Sequence, residues 1–162
     1  MPVPMMTKPL ASRLQQALTA LTVAGLASAQ RQPGNPFDIE IRHFGSATAI
    51  LADKAPAEGW WNRVVGLLPA DADLIDEIVA FYREHGRRCH VDLDPLTLTE
   101  AIARRLAAHG FYPIPNGTVL YGVASSTFPE VQDSLEIREI GADQAACFAE
   151  LWAAGNGAEA RP

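Results

Sequence analysis

LLPADADLIDEIVAFYREHGRRCHVDL, residues 67–93, decides the fold class. Its apolar start reads as the end of a strand. Leu74, Ile75, Ile78, Val79 and Tyr82 then recur at the spacing of one helical face. Asp71 or Asp73 is expected to cap that helix at its start. Gly86 stops it, with Arg83 and Arg87 beside the negative end of the helix dipole. "RCHVDLD" follows as another strand. Strand, helix and strand in this order make a β-α-β unit. In many enzymes built from such units the first turn cradles a phosphate with glycines and bare backbone N–H groups. Here the turn offers Pro69, Ala70, Asp71 and Asp73. The expectation is that the shape is kept and the phosphate site lost.

Upstream, residues 10–29 carry Leu10, Leu14, Leu18 and Leu21 at helical spacing. Arg13, Gln15, Gln16 and Thr19 take much of the remaining surface, so an amphipathic first helix is expected. Ala27-Ser28-Ala29 also has the look of a signal-peptidase site, which is the competing reading of this apolar run. "QRQPGNP" is loop chemistry. "FDIEIRHFG" alternates Phe37, Ile39 and Ile41 with Asp38, Glu40 and Arg42, as a half-buried strand does. "SATAILAD" is its antiparallel neighbour, turned at Gly45-Ser46. "WWNRVVGLLP" reads as a more buried strand.

Downstream, Thr97-Leu98-Thr99-Glu100 is a capping-box pattern. The helix it starts puts Leu98, Ile102 and Leu106 on one face and ends at Gly110. "GTVLYGVAS" and "SLEIREIG" read as strands, and "ADQAACFAELWAAG" as a last helix. Hairpin strands followed by β-α-β-α-β units predict an α/β fold with a mixed central sheet and helices on both faces.

The chain has 162 residues, enough for a sizeable core. Its net charge of −6 speaks against a general nucleic-acid binder, which needs a basic face. No apolar run reaches the ~20 residues of a membrane span. Cys89 and Cys147 lie far apart and show no metal-ligand spacing, so a reduced, cytoplasmic protein is the expectation.

The element order over residues 10–125 resembles one domain of the GNAT N-acetyltransferase superfamily. "LTEAIARRLAAHGFYPI" is similar to that family's helix-to-strand step, which ends in Gly-Phe, here Gly110-Phe111. "SLEIREIGADQAACFAELWAAGNG" resembles the first strand and helix of a second such domain. The resemblance implies a degenerate first GNAT domain, residues 1–126, and the opening of a second at 134–155. It also implies acetyl-CoA as the family cofactor. The family holds the cofactor's pyrophosphate with R/Q-x-x-G-x-G/A between a strand and a helix. Residues 67–73 have no glycine, no Arg and no Gln, and they place carboxylates where the phosphates would come. Leu106 stands where many members have a Tyr that protonates the leaving thiolate. No cofactor is therefore expected to bind this chain alone.

Trp60, Trp61 and Asn62, with Tyr82, Tyr112 and Tyr121, are the candidates for a substrate pocket. Large aromatics line ligand sites, but they also fill cores. His85, Cys89 and His90 suggest a metal only if they converge, and successive strand residues point to opposite faces. Arg87 and Arg88 can hold an anion or simply end a helix. Asp92 and Asp94 read as a strand edge and a cap before Pro95. The function expected is the non-catalytic N-terminal part of an acetyl-CoA-dependent acyltransferase, partnered by a C-terminal GNAT domain. The alternative is a stand-alone binding or dimerisation module that has kept the fold. The apolar residues of 135–155 predict a homodimer through that segment.

Overall fold

The computed structural model describes residues 7–55, 61–114 and 139–155. They belong to two units, Met1–Gly122 and Val123–Pro162. In the first, Thr7 opens helix α1 (Lys8–Gln30), its Oγ1 accepting the Leu10 N–H at 3.4 Å. The chain then turns through Asn35, and the Asn35 side chain brackets Ile39. Its Oδ1 accepts the Ile39 N–H at 2.9 Å and its Nδ2 donates to the Ile39 carbonyl at 3.0 Å. Gln30 Nε2 donates to the same carbonyl at 2.9 Å. These side chains close the start of a sheet edge that would otherwise offer bare backbone groups.

Strand β1 (Ile39–Phe44) and strand β2 (Ala47–Ala52) form an antiparallel hairpin in the register Phe44↔Ala47 to Ile39↔Ala52. Strand β3 (Arg63–Val65) pairs antiparallel with β2, and strand β4 (His90–Val91) pairs parallel with β3. The order β1-β2-β3-β4 makes a four-stranded mixed sheet. Every residue of β2 is buried because both faces of the sheet are covered. Ala47, Ala49 and Leu51 face helices α2 (Ile75–Glu84) and α3 (Glu100–Ala108). Ile50 and Ala52 face α1 through Val23, Leu26 and Ala29. The expected mixed sheet with helices on both faces is present in these four strands.

Helix α2 buries Ile75, Ile78, Val79, Phe81 and Tyr82, and α3 buries Ile102 and Leu106. Each side chain of this size stabilises by ~1.5–3 kcal/mol when fully buried. Gly86, at φ 64°, ends α2 in a left-handed turn, and the Arg87 N–H returns to the Tyr82 carbonyl at 2.9 Å. Arg87 then reaches Asp53 at the end of β2. Its Nε donates to Asp53 Oδ1 at 2.8 Å and its Nη2 to the Asp53 carbonyl. This contact holds Asp53 below its usual carboxylate value.

Four expectations need correction. The strand read from Trp60 starts only at Arg63. The cap of α3 is Thr99, whose Oγ1 accepts the Ile102 N–H, and not Thr97, whose hydroxyl donates to the Asp94 carbonyl. Leu98 precedes the helix and is exposed. Leu10, Leu14, Leu18 and Leu21 of α1 do not form the face that meets the sheet, which carries Val23, Leu26 and Ala29. Leu21 is 71% exposed, while Thr19, assigned to the polar surface, approaches Gly66 at the end of β3.

Charged groups clamp α2 to α3. Arg105 donates to Asp76 Oδ2 at 2.9 Å and to Asp73 Oδ1 at 2.5 Å, and His109 Nε2 meets Asp76 Oδ1 at 2.6 Å. The His109 hydrogen bond, followed by the Arg105 charge, holds the Asp76 carboxyl below its usual 3.8. A depressed carboxyl pKa stabilises the fold above the unfolded value, and that stability is lost as pH falls through the folded value. The Asp76→Asn variant should therefore be less stable than the native chain at neutral pH, and the gap should close below about pH 4. Urea midpoints across this range test it, and a gap that stays constant with pH would refute it.

In the second unit a short turn, Ala142–Gln144, leads into helix α4 (Ala145–Gly155), on which Phe148 and Leu151 are exposed. Most of the strand expected at 134–141 lies outside the described residues. No helix among the described residues is long and apolar enough to cross a membrane.

Candidate functional site at the β3–α2 turn

The turn after β3 is where the sequence puts the question of an anion site. Leu68 is extended, at φ −111° and ψ 163°, and Pro69 opens a short 3-10 helix, Pro69–Leu74, that leads into α2. Pro69 fits this position because it has no N–H to satisfy. Asp71 is 4% exposed. Its Oδ2 accepts the Leu68 N–H at 2.9 Å and its Oδ1 accepts the Ser46 N–H at 3.0 Å. One carboxylate thus satisfies a donor of its own turn and a donor of the β1–β2 hairpin. The negative charge that suits this end of a helix comes from inside the chain.

Asp71 is therefore not an N-cap of the expected kind. It sits inside the turn and reaches back, while Asp73 points away to Arg105. The hairpin leaves room for the carboxylate only because residue 45 is glycine. A Cβ there would overlap Asp71 Oδ1 and lie 3.0 Å from Leu74 Cδ1. Gly45 also has φ 60°, a conformation that side chains rarely adopt.

The pocket candidates do not meet at one place. Asn62 is 2% exposed, and its Oδ1 accepts the Ala52 N–H at 2.8 Å, closing the end of β2. Tyr82 is 1% exposed, and its hydroxyl lies 2.8 Å from the Ile50 carbonyl and 2.9 Å from the Arg63 carbonyl. Its single proton is shared between two strands. Burial, with the nearby Cys89 adding to it, pushes the phenol's ionisation up, so Tyr82 holds its proton at neutral pH. Both residues use their polar atoms on backbone, which is packing chemistry. Trp61 stacks on Phe37 with ring centroids 4.9 Å apart, against the sheet face that carries α1. Tyr112 is 78% exposed. Trp60 and Tyr121 lie outside the described residues. Replacing Tyr82 by Phe should cost about 1–2 kcal/mol, since the buried Ile50 carbonyl and the partly buried Arg63 carbonyl lose a shared donor. A urea midpoint unchanged by Tyr82→Phe would contradict this.

Arg88 and His90 are exposed, and the other candidates resolve into structural contacts. His85 Nδ1 meets the Phe81 carbonyl at 2.8 Å, and its ring lies edge-on to Phe81. Cys89 packs against the core, and burial pushes its thiol up to about 12. Asp92 pairs with Arg63 at 2.8 Å, and Asp94 Oδ1 accepts the Leu96 N–H at 2.9 Å. Among the described residues no three His, Cys, Asp or Glu side chains converge on one point. Leu106 is 6% exposed within the core.

Sequence reading missed two features. The link from Asp71 to Ser46 spans 25 positions; Gly45-Ser46 and Asp71 are separately visible, but nothing in their spacing joins them. Arg42 lies over the rings of Phe44 and Phe81, at 5.3 and 5.6 Å from their centroids. It borders a shallow depression of about 230 Å³ that Glu77 and Glu84 also line. Compared with known protein families, curated proteins and solved structures, the chain matches none.

Proposed function

We propose that the first unit is a GNAT-type domain that acts as a scaffold and does not bind acetyl-CoA. Catalysis then belongs to another domain, and this one supplies support and a wall of the acceptor site. What supports the reading is the Asp71 carboxylate, which occupies the Leu68 and Ser46 N–H groups at the β3–α2 turn. A pyrophosphate approaching that turn would meet a buried negative charge and donors already in use. Leu106 adds to this, because a buried hydrocarbon side chain cannot protonate a thiolate.

Isothermal titration of the purified chain with acetyl-CoA tests the proposal. No saturable heat is expected up to millimolar cofactor. Saturable binding at micromolar concentration would overturn it.

A further inference from the structure

Strand β1 is an outer strand of the sheet, and among the described residues no strand lies beyond it. It turns into β2 at Gly45-Ser46, so Phe44, Arg42 and Glu40 direct their backbone groups to Ala47, Ala49 and Leu51. Ile39, Ile41 and His43 direct theirs outward. Asn35 and Gln30 already satisfy Ile39. The open part of the edge is therefore Ile41 and His43. Beside it lies the depression lined by Arg42, Phe44, Glu77, Ala80, Phe81 and Glu84. Helix α2 runs antiparallel to β1 there. Asp71, just before the helix, bonds to Ser46 at the hairpin turn, Phe81 packs on Phe44, and His85 Nε2 stands 3.8 Å from Glu40. Glu77 thus lies towards the hairpin turn and Glu84 towards Glu40, with exposed Ala80 between them. Neither Glu77 nor Glu84 has an ion-pair partner among the described residues.

We propose that β1 takes an extended peptide of another protein as an added antiparallel strand, with the pattern basic-x-apolar-x-basic. Strand addition draws affinity from main-chain hydrogen bonds and selectivity from alternate side chains. The peptide residues opposite Ile41 and His43 exchange backbone hydrogen bonds with them. The residue between these two stands opposite Arg42, on the face that carries α2, and meets Ala80 and the Arg42 stem. A small apolar side chain such as valine suits that place. The residues two positions to either side share its face. One stands opposite Glu40, near Glu84, and the other opposite Phe44, near Glu77. These two are about 13 Å apart along the strand. Glu77 and Glu84 are about 10 Å apart along the helix. Lysine and arginine stems are long enough to span the difference.

Charge selects this occupant over a second copy of the chain. Pairing β1 with itself through both open residues sets Arg42 directly against Arg42, and like charges opposite each other destabilise a ladder. It also brings Glu77 and Glu84 of both copies to one face of the joined sheet. No other segment of this chain carries the pattern either. Two basic residues stand four apart only at Arg83 and Arg87, where α2 ends. The contact with a short peptide is small, so it belongs with weak, transient interfaces.

Fluorescence anisotropy of the full chain with a labelled, end-capped peptide Thr-Lys-Thr-Val-Thr-Lys-Thr tests this. Saturable binding is expected, with half-saturation at roughly 100 μM. Glutamate in place of both lysines should weaken it about tenfold. N-methylation of the two threonines beside the valine should abolish it, since their backbone faces Ile41 and His43. The chain with Glu77→Lys and Glu84→Lys should prefer the glutamate peptide, with an unchanged urea midpoint showing that the fold is kept. The N-methyl comparison uses the native chain and decides the matter even if that variant fails to fold. Absence of saturation up to about 2 mM peptide would overturn the proposal. So would equal binding of the N-methylated peptide, or equal binding of the lysine and glutamate peptides. A dimer in sedimentation equilibrium that Ile41→Pro dissociates would assign the edge to a second copy and overturn it too.

Discussion

Replacing Asp71 with alanine should destabilise the first unit by about 3 kcal/mol, because it strands two backbone donors at once. The Leu68 and Ser46 N–H groups each lose a charged acceptor at 2.9 and 3.0 Å. An unsatisfied buried donor costs ~1–3 kcal/mol. Water can recover part of this, since both contacts are only partly buried, and this keeps the figure in the lower half of the summed range. Asp71→Asn should cost less, because its one amide oxygen still accepts from one of the two donors. Urea unfolding at neutral pH measures both. Equal losses for Ala and Asn would show that the site needs the charge and not the acceptors. No loss for Ala would show that the turn and hairpin are held by other contacts.

The Gly45→Ala variant should lose about 2–3 kcal/mol, from two separable sources. One is the positive φ, which costs a side-chain-bearing residue roughly 1–2 kcal/mol. The other is overlap of the new Cβ with Asp71 Oδ1. The second source disappears when the carboxylate is absent, while a close contact with Leu74 Cδ1 remains. In a double-mutant cycle, Gly45→Ala with Asp71→Ala should therefore cost less than the sum of the single losses by about 1 kcal/mol. Strict additivity would mean that the backbone conformation and the Leu74 contact make Gly45 necessary. The cycle also bears on function, because it measures how firmly the carboxylate occupies the place a phosphate would need.

Local pattern carried far at some positions. The apolar stripe Ile75, Ile78, Val79 and Tyr82 faces the core as its spacing predicts, since side chains three and four apart share one face of a helix. Gly86 ends α2, because few other residues adopt its backbone conformation. The antiparallel hairpin turns at Gly45-Ser46 as expected. The acidic, glycine-free turn at 69–73 was also evident, and with it the expectation that no phosphate is held there. Three placements were not legible. Leu10, Leu14, Leu18 and Leu21 make one stripe on α1, while the face that meets the sheet carries Val23, Leu26 and Ala29. Tyr82 and Asn62 are equally suited to a pocket or a core until the carbonyls of Ile50 and Arg63 and the Ala52 N–H are found beside them.

The sequence by itself determined the hairpin, the strand-helix-strand-helix order that follows it up to α3, and the absence of phosphate-binding glycines, because each of these depends on residues within a few positions of one another. Only the tertiary structure decided what fills the turn. The Asp71 carboxylate, the Leu68 N–H and the Ser46 N–H belong to two segments far apart in the chain, and they meet because α2 packs against the hairpin through Phe44, Ala47 and Leu74. A hydrogen bond across such a distance is set by the packing of whole elements, and no local spacing encodes it.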